Sequence, residues 1–359
     1  MKLCIVVGTR PEIIKMSSVV RACQARGIGF FILHTGQHYS YNMDGLFFEE
    51  LQIPQPNYNL AVGSGGFAEQ LGKMLSGIEN VLVKEKPDWV LAGGDTNTVL
   101  AAVLSATNLQ IPFAHIEAGL RSYNLGMQEE KNRIIADSVS ELLFPPTEHA
   151  LGILKKEGKD GGKAFVTGNV IVDAVNYYLP AAVKKVSLSS FKLQPKKYFL
   201  VTIHRAENTD TMEVLAELLS ALANVYKEHK MPLVFPIHPR TRARIESFGL
   251  KVPEGVQLIE PVGFFEFLVL EKNARLVLTD SGGVQEESCI MKVPCVTLRK
   301  DTERPETVQV GANVLTNLTV KDINLKVGQM LDKPISWNNP FGDGRAAEKI
   351  LDGVLKVKK

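Results

Sequence analysis

The chain has 359 residues, 45% hydrophobic, 22% charged and 7% aromatic, with a net charge of +2. That length exceeds a single ordinary core and that composition is globular, so two domains are expected and a disordered chain is excluded. The near-neutral balance excludes a general nucleic-acid or membrane-surface role, and the basic run Lys356 to Lys359 reads as a solvated helix end.

The opening run CIVVG (4–8) is too short for a signal peptide or a membrane span and reads as a first buried strand. It ends in GTRPEIIK, where Thr9 or Arg10 can cap a helix and Pro11 falls where its missing N–H costs nothing. Arg10 and Lys15 then lie near a helix N-terminus, a region favourable for phosphate, although there is no Walker loop. FFILH (30–34) is the next strand, and WVLAGG (89–94) is followed by Asp95 just past a glycine pair that lets backbone approach a ligand. PFAHI (112–116) carries Glu117 at its end, and Gly119 permits a sharp corner. From Gln128 a helix is expected, with Glu129 and Arg133 four apart on one face. LLFPP (142–146) completes the strands of the first half.

Around 180–197 the pattern loses periodicity, and the domain junction is placed near Gly168. Beyond it, FLVTIH (199–204) brings His204 and Arg205 to a strand end, and LVFPIH (233–238) does the same for His238 and Arg240. VQLIE (256–260), RLVLTD (275–280) and PCVTL (294–298) are further strands. The run TDSGGVQEES (279–288) is the strongest phosphate signal: strand, Ser281-Gly282-Gly283, then helix, which presents N–H groups and a hydroxyl to an anion. Glu286 and Glu287 come too late for a capping box, and a carboxylate one turn in could accept both hydroxyls of a ribose. Helical patterns occupy 11–26, 67–86, 210–229 and 320–332. Continuous apolar strands alternating with helices predict an α/β fold of doubly wound parallel sheets, with ligands beyond the carboxyl ends of the strands. Cys4, Cys23, Cys289 and Cys295 form no C-x-x-C pair, so zinc is not expected and a reducing cytoplasm is.

Taken in order, GTRPEIIK, TGQH, GDTNT, HIEAGLRS, EEKNR, HRAEN, TDSGGVQEE and TERPE resemble the non-hydrolysing UDP-N-acetylglucosamine 2-epimerases over the full length. The resemblance implies the glycosyltransferase-B architecture, two Rossmann-like doubly wound domains facing across a cleft. The domains would be 1–167 and 168–341, the second binding UDP, with a last helix within 342–359 packing back on the first. It implies reversible C2 epimerisation to UDP-N-acetylmannosamine by elimination and re-addition of UDP, without nicotinamide cofactor or metal. The partner is the UDP-sugar substrate, with no nucleic acid and no membrane, in a homodimer.

Carried over by position, Asp95, Glu117 and Glu129 match the family's catalytic carboxylates and His204 its cleft histidine. Arg10, Ser281, Gly282 and Gly283 match phosphate contacts, Glu287 the ribose ligand and Phe267 the residue packing on uracil. Lys15, Arg133 and Arg304 also match binding positions, and His238 is added to the binding set from its strand end. The chemistry asks for such residues: the C2 proton is barely acidic, so UDP must be gripped, charge stabilised at C1 and water kept from a reactive glycal. Carboxylates converging on one volume would also push one pKa up and split acid from base. The chain departs from the pattern at Gln128, where many relatives have proline. NYNLAVGSGGFAEQ lacks the Arg-Gln pair of members activated by substrate, so the resemblance does not extend to that activation. The rivals are a sibling epimerase acting on UDP-2,3-diacetamido-2,3-dideoxyglucuronate, a glycosyltransferase of the same architecture, and a non-catalytic nucleotide-sugar binder.

Overall fold

A computed structural model describes residues 1–37 and 47–357; His38 of the TGQH run and the last two lysines lie outside them. The chain divides into two compact units, one formed by Met1–Asn176 with Phe341–Lys359 and the other by Tyr177–Pro340. Each holds a six-stranded sheet in which every pairing between strands is parallel.

In the first unit the strands are β1 (Lys2–Val7), β2 (Gly29–His34), β3 (Tyr58–Asn59), β4 (Trp89–Gly93), β5 (Phe113–Ile116) and β6 (Leu142–Phe144). Their order is β3-β2-β1-β4-β5-β6. The strand direction of winding therefore reverses between β1 and β4, which pair from Leu3 with Trp89 to Ile5 with Leu91. Helices α1 (Arg10–Arg26), α2 (Phe67–Glu85), α3 (Asn97–Asn108), α4 (Gln128–Val139) and α5 (Glu148–Lys156) connect them. Val90, Ala92, Phe113, Val99, Val103 and Ile78 share one core, because strands covered on both faces have no polar face to alternate with.

The second unit repeats the plan. β7 (Phe199–Thr202), β8 (Leu233–Pro236), β9 (Val256–Ile259), β10 (Leu276–Thr279), β11 (Cys295–Thr297) and β12 (Asn313–Leu315) are ordered β12-β11-β10-β7-β8-β9. Here the reversal lies between β7 and β10, paired Thr202 with Thr279 at their ends. Among its helices are α7 (Ala206–Thr209), α8 (Met212–His229), α9 (Pro239–Ser247), α10 (Phe264–Asn273), α11 (Gly282–Ile290), α12 (Pro305–Gln309) and α13 (Val320–Asp332).

The region read as unpatterned is in part a helix, α6 (Val170–Lys185), and the unit boundary falls inside it rather than at Gly168. Val170, Ile171, Ala174, Val175, Tyr178 and Ala182 are buried at helical spacing. That stripe outweighs the one backbone bond lost at Pro180, which is what hid the helix in the sequence. The last helix, α14 (Ala346–Lys356), belongs to the first unit: Asp173 accepts from the N–H groups of Ala346 and Ala347 at 3.1 and 2.9 Å. Among the described residues no helix is long and apolar enough to cross a membrane.

Candidate active site

In the first unit the polar residues gather where the winding reverses. Thr9 is the N-cap of α1, and Glu12, three residues on, accepts from the N–H groups of Gly8 and Thr9, both at 2.8 Å. One turn deeper, buried Lys15 places its Nζ 2.9 and 2.8 Å from the two carboxylate oxygens of Glu117. Asn169 Nδ2 donates to Glu117 Oε1 at 3.0 Å. Glu117 follows β5 with φ of 68°, a left-handed conformation rare for a residue with a side chain. Its N–H is held by the Phe144 carbonyl of β6, and its Oε2 lies 3.6 Å from where a Cβ on Gly94 would stand. A Cβ there would only touch the carboxylate; what holds glycine at position 94 is its φ of 100°, which strains any residue with a side chain.

Asp95 is next along. Thr96 takes the N-cap of α3, which leaves the Asp95 carboxylate for Arg133. Arg133, 2% exposed, also binds Glu130 at 2.7 Å, and Asn132 Nδ2 donates to the Asp95 carbonyl at 2.9 Å. The partnership expected between Arg133 and Glu129 is thus made with Glu130 and Asp95 instead. Glu130 is committed further, accepting from the N–H groups of Ser122 and Tyr123. Glu129 sits half-buried in the first turn of α4, whose N-cap is Met127, and Gln128 Nε2 donates to Asn132 Oδ1 at 3.0 Å. The amide of Gln128 thereby fastens the turn that a proline would have pre-set.

Behind this layer, His115 Nδ1 and Asp137 Oδ1 are 2.7 Å apart, and the other ring nitrogen is 2.9 Å from the Gly94 carbonyl. Arg121 contacts the second oxygen of Asp137 at 2.7 Å. Burial opposes both charges, but their mutual contact outweighs it: His115 is shifted up and Asp137 down. An ion pair of this kind fixes the loop of HIEAGLRS rather than offering a reactive group.

Near the reversal Glu12 is shifted upward, to about 7, by burial, against bonds from Thr96, Gly8 and Thr9 that favour its charge; Asp173 of α6 is raised by burial as well. Sequence reasoning treated Glu12 only as part of a motif. The signal was there, a Glu at the third helical position after a Thr cap, but burial is not written in the local sequence. Glu117 and Asp95 are each matched with a cation, and Lys15, expected beside phosphate, is that cation for Glu117. Arg10 lies over the Phe47 ring, 5.7 Å from its centroid.

In the second unit the corresponding reversal gathers His204, Asp280 and the Ser-Gly-Gly turn. Asp280, fully buried, accepts from the N–H groups of His204 and Arg205, each at 2.9 Å, and from Asn208 Nδ2 at 3.1 Å. His204 Nδ1 stands 3.0 Å from Asp280 Oδ1, which turns Nε2 outward on a ring 41% exposed. Burial would raise Asp280, yet His204 and the two backbone donors hold it below the usual carboxylate range. Ser281 caps α11, and its own N–H is taken by Thr279 Oγ1 at 2.9 Å. Gly282 and Gly283 form the first turn, where helix geometry leaves N–H groups without an intrahelical partner. A Cβ on Gly282 would come 2.7 Å from Glu303 Oε1.

His238 is an exposed N-cap of α9, its Nδ1 accepting from Arg240 N at 3.2 Å, with its ring centroid 5.9 Å from that of His204. Phe267 is half-buried in the first turns of α10. Arg304 is buried, and its Nε is bound by Glu286. Glu287, one position later on α11, is 8% exposed.

Residues 21–355 match the model of the family described as UDP-N-acetylglucosamine 2-epimerase. The chain belongs to that family. It is 51% identical to the UDP-N-acetylglucosamine 2-epimerase of Methanocaldococcus jannaschii, over 98% of each chain. It is 42% identical to the UDP-2,3-diacetamido-2,3-dideoxy-D-glucuronate 2-epimerase of Pseudomonas aeruginosa, over 99% of this chain and 100% of the other. Among solved structures, the M. jannaschii enzyme in complex with UDP-GlcNAc and UDP superposes with a TM-score of 0.95, covering 99% of this chain and 100% of that one at 50% identity. The Neisseria meningitidis enzyme bound to UDP-GlcNAc gives 0.92 at 33% identity, covering 99% and 100%. As a family epimerase the protein is an isomerase.

Within this epimerase the four cysteines are free and buried, and burial raises all four thiols, Cys23 and Cys289 to about 12. They are small packing residues rather than nucleophiles. Among the described residues no group of three or more His, Cys, Asp or Glu side chains could hold a metal ion.

Proposed function

We propose that the protein interconverts UDP-N-acetylglucosamine and UDP-N-acetylmannosamine by eliminating UDP and adding it back after the C2 proton has returned to the other face. The observation that carries this reading is the full-length likeness to the M. jannaschii enzyme, whose crystal structure holds UDP-GlcNAc and UDP. In this reading the second unit grips the nucleotide. The Ser281, Gly282 and Gly283 turn takes the diphosphate together with Arg304; Arg10, of the first unit, is assigned to phosphate as well. Glu287 takes the ribose hydroxyls, and Phe267 packs on uracil. The first unit supplies the chemistry. Asp95, Glu117 and Glu129 exchange the proton and stabilise charge at C1, with Lys15 and Arg133 fixing two of them. His204 and His238, of the second unit, are also assigned to the substrate, and Asp280 holds the His204 ring by Nδ1 with Nε2 outward.

The physical logic is that UDP must begin to leave before C2 gives up its proton. Fixed cations and helix N–H groups stabilise the departing diphosphate without reorganising, which lowers the barrier where charge develops. Two faces need two acid–base groups, hence more than one carboxylate. We further infer a cytoplasmic homodimer: unpaired buried thiols suit a reducing compartment, and light scattering on the purified protein tests the oligomeric state.

The reading is tested by supplying UDP-N-acetylglucosamine and following the products by proton NMR. Appearance of the manno epimer with no acceptor present supports it; an unchanged sugar overturns it. A second reading has one specific support, the likeness to the P. aeruginosa enzyme. Turnover of the diacetamido-glucuronate alone, with none of the N-acetylglucosamine derivative, would replace the first reading by the second.

A further inference from the structure

Behind Glu287 lies a second carboxyl that the proposed chemistry does not use. Glu271 of α10 is fully buried. Its Oε1 accepts from Ser288 Oγ at 2.7 Å, and its Oε2 is buried with no hydrogen-bond partner. The Glu287 carboxylate stands against it. The other titratable groups near it are Tyr198, ahead of β7, and Cys295 of β11. Tyr198 spends its hydroxyl proton on the Leu270 carbonyl, and Cys295 is a buried thiol. The cations next to it in sequence point elsewhere: Lys272 Nζ reaches the Met291 carbonyl at 3.1 Å and Arg275 Nη2 the Leu331 carbonyl at 3.3 Å. Among the described residues Glu271 makes no ion pair.

An ionised carboxylate in such a place would carry an uncompensated buried charge beside a second one. A proton on Oε2 removes both faults at once, because the oxygen that lacks a donor becomes a donor with a carboxylate in front of it. We propose that Glu271 is a neutral carboxylic acid that donates a hydrogen bond to Glu287 and so fixes the carboxylate assigned to the ribose. Burial, and then the charge of Glu287, drive Glu271 well above the usual carboxyl range, in keeping with this. Glu271 acts through Glu287 and is a positioning residue. One oxygen of Glu287 is anchored from behind, and the carboxylate stays charged and aimed outward to accept from a vicinal diol.

The inference rests on the assignment of Glu287 to the ribose, and the experiment separates the two. Affinities for UDP and 2′-deoxy-UDP are measured for the unaltered protein, Glu271→Gln, Glu271→Met and Glu287→Ala. The amide of Gln can accept from Ser288 and donate to Glu287, so Glu271→Gln keeps the preference for UDP. Glu271→Met loses about tenfold of it, the worth of one charge-assisted hydrogen bond, while 2′-deoxy-UDP binds as before. If Glu271→Met keeps the preference while Glu287→Ala loses it, the positioning role is wrong. If Glu287→Ala itself keeps it, the ribose assignment fails and the positioning role with it. Infrared difference spectra provide a readout independent of the Met variant's folding. The spectrum of the unaltered protein minus that of Glu271→Gln, in which the Glu12 contribution cancels, is expected to show a protonated-carboxyl band at neutral pH, and a difference spectrum without that band overturns the proposal.

Discussion

Glu117 carries the cost of a left-handed backbone, roughly 1 kcal/mol for a residue with a side chain, and that angle is what turns its carboxylate to Lys15 and Asn169. Replacing it by Gln leaves shape and backbone intact and removes the charge; Asp95→Asn does the same opposite Arg133. Each change is expected to lower turnover by roughly 10²- to 10⁴-fold while UDP affinity stays within a few-fold, measured by coupled assay and titration calorimetry. Turnover within tenfold of normal in either variant would remove that residue from the chemistry. Glu12 makes a different prediction. Its folded pKa of about 7 lies above the ordinary 4.5, so the folded state binds the proton more tightly. That contribution to stability is full below about 4.5 and is lost as pH rises through 7. Denaturant midpoints should fall over that window in the unaltered protein, and the fall should shrink in Glu12→Gln. Strand-end position made Asp95, Glu117 and His204 visible in the sequence. Their partners were not, because Lys15 and Glu117 are 102 residues apart and Arg133 and Asp95 are 38 apart, and no local spacing encodes such pairs.

At the scale of elements, the buried parallel strands were legible because each is a continuous apolar run. β3 and β12 were not: two and three residues, with Asn at an end of each, give no hydrophobic run to read. The helix over Val170–Lys185 was missed because a proline and its lysines masked an apolar stripe, while the Ser-Gly-Gly turn into α11 was legible from an apolar strand followed by Ser281 and two glycines. Loops after strands are where single substitutions cost most. Gly119, at φ 80°, would put a Cβ 2.4 Å from the Ala150 carbonyl oxygen, a backbone atom that cannot step aside. Gly119→Ala should therefore destabilise the first unit by about 3 kcal/mol or more, read as a lowered urea midpoint with slope unchanged. In the second unit Asp280 gathers the chain after β7. Asp280→Ala leaves the His204 and Arg205 N–H groups and Asn208 without their acceptor, and should cost roughly 3 kcal/mol. Since Asp280 titrates below its ordinary value of 3.8, its contribution is full above that pH and is lost only as pH falls through the lower folded value.

Over the whole chain, the same strand order occurs twice, and in both units the polar side chains with chemical potential cluster where that order reverses. Such points leave the ends of neighbouring strands open, since successive connections depart to opposite faces of the sheet. The duplication explains why two sets of motifs, GTRPE with GDTNT and HRAEN with TDSGG, stand at matching places in the two halves. In the proposed reaction it also divides the labour: the three carboxylates belong to the first unit and the turn assigned to the nucleotide to the second. These carboxylates, in that proposed reaction, move the C2 proton. Turnover of UDP-N-acetylglucosamine in heavy water, followed by proton NMR, tests it most directly. The manno epimer is expected to form with deuterium at C2, and the recovered substrate to gain the label as well. An epimer that keeps its original C2 proton, or no exchange at C2 in either sugar, would contradict it.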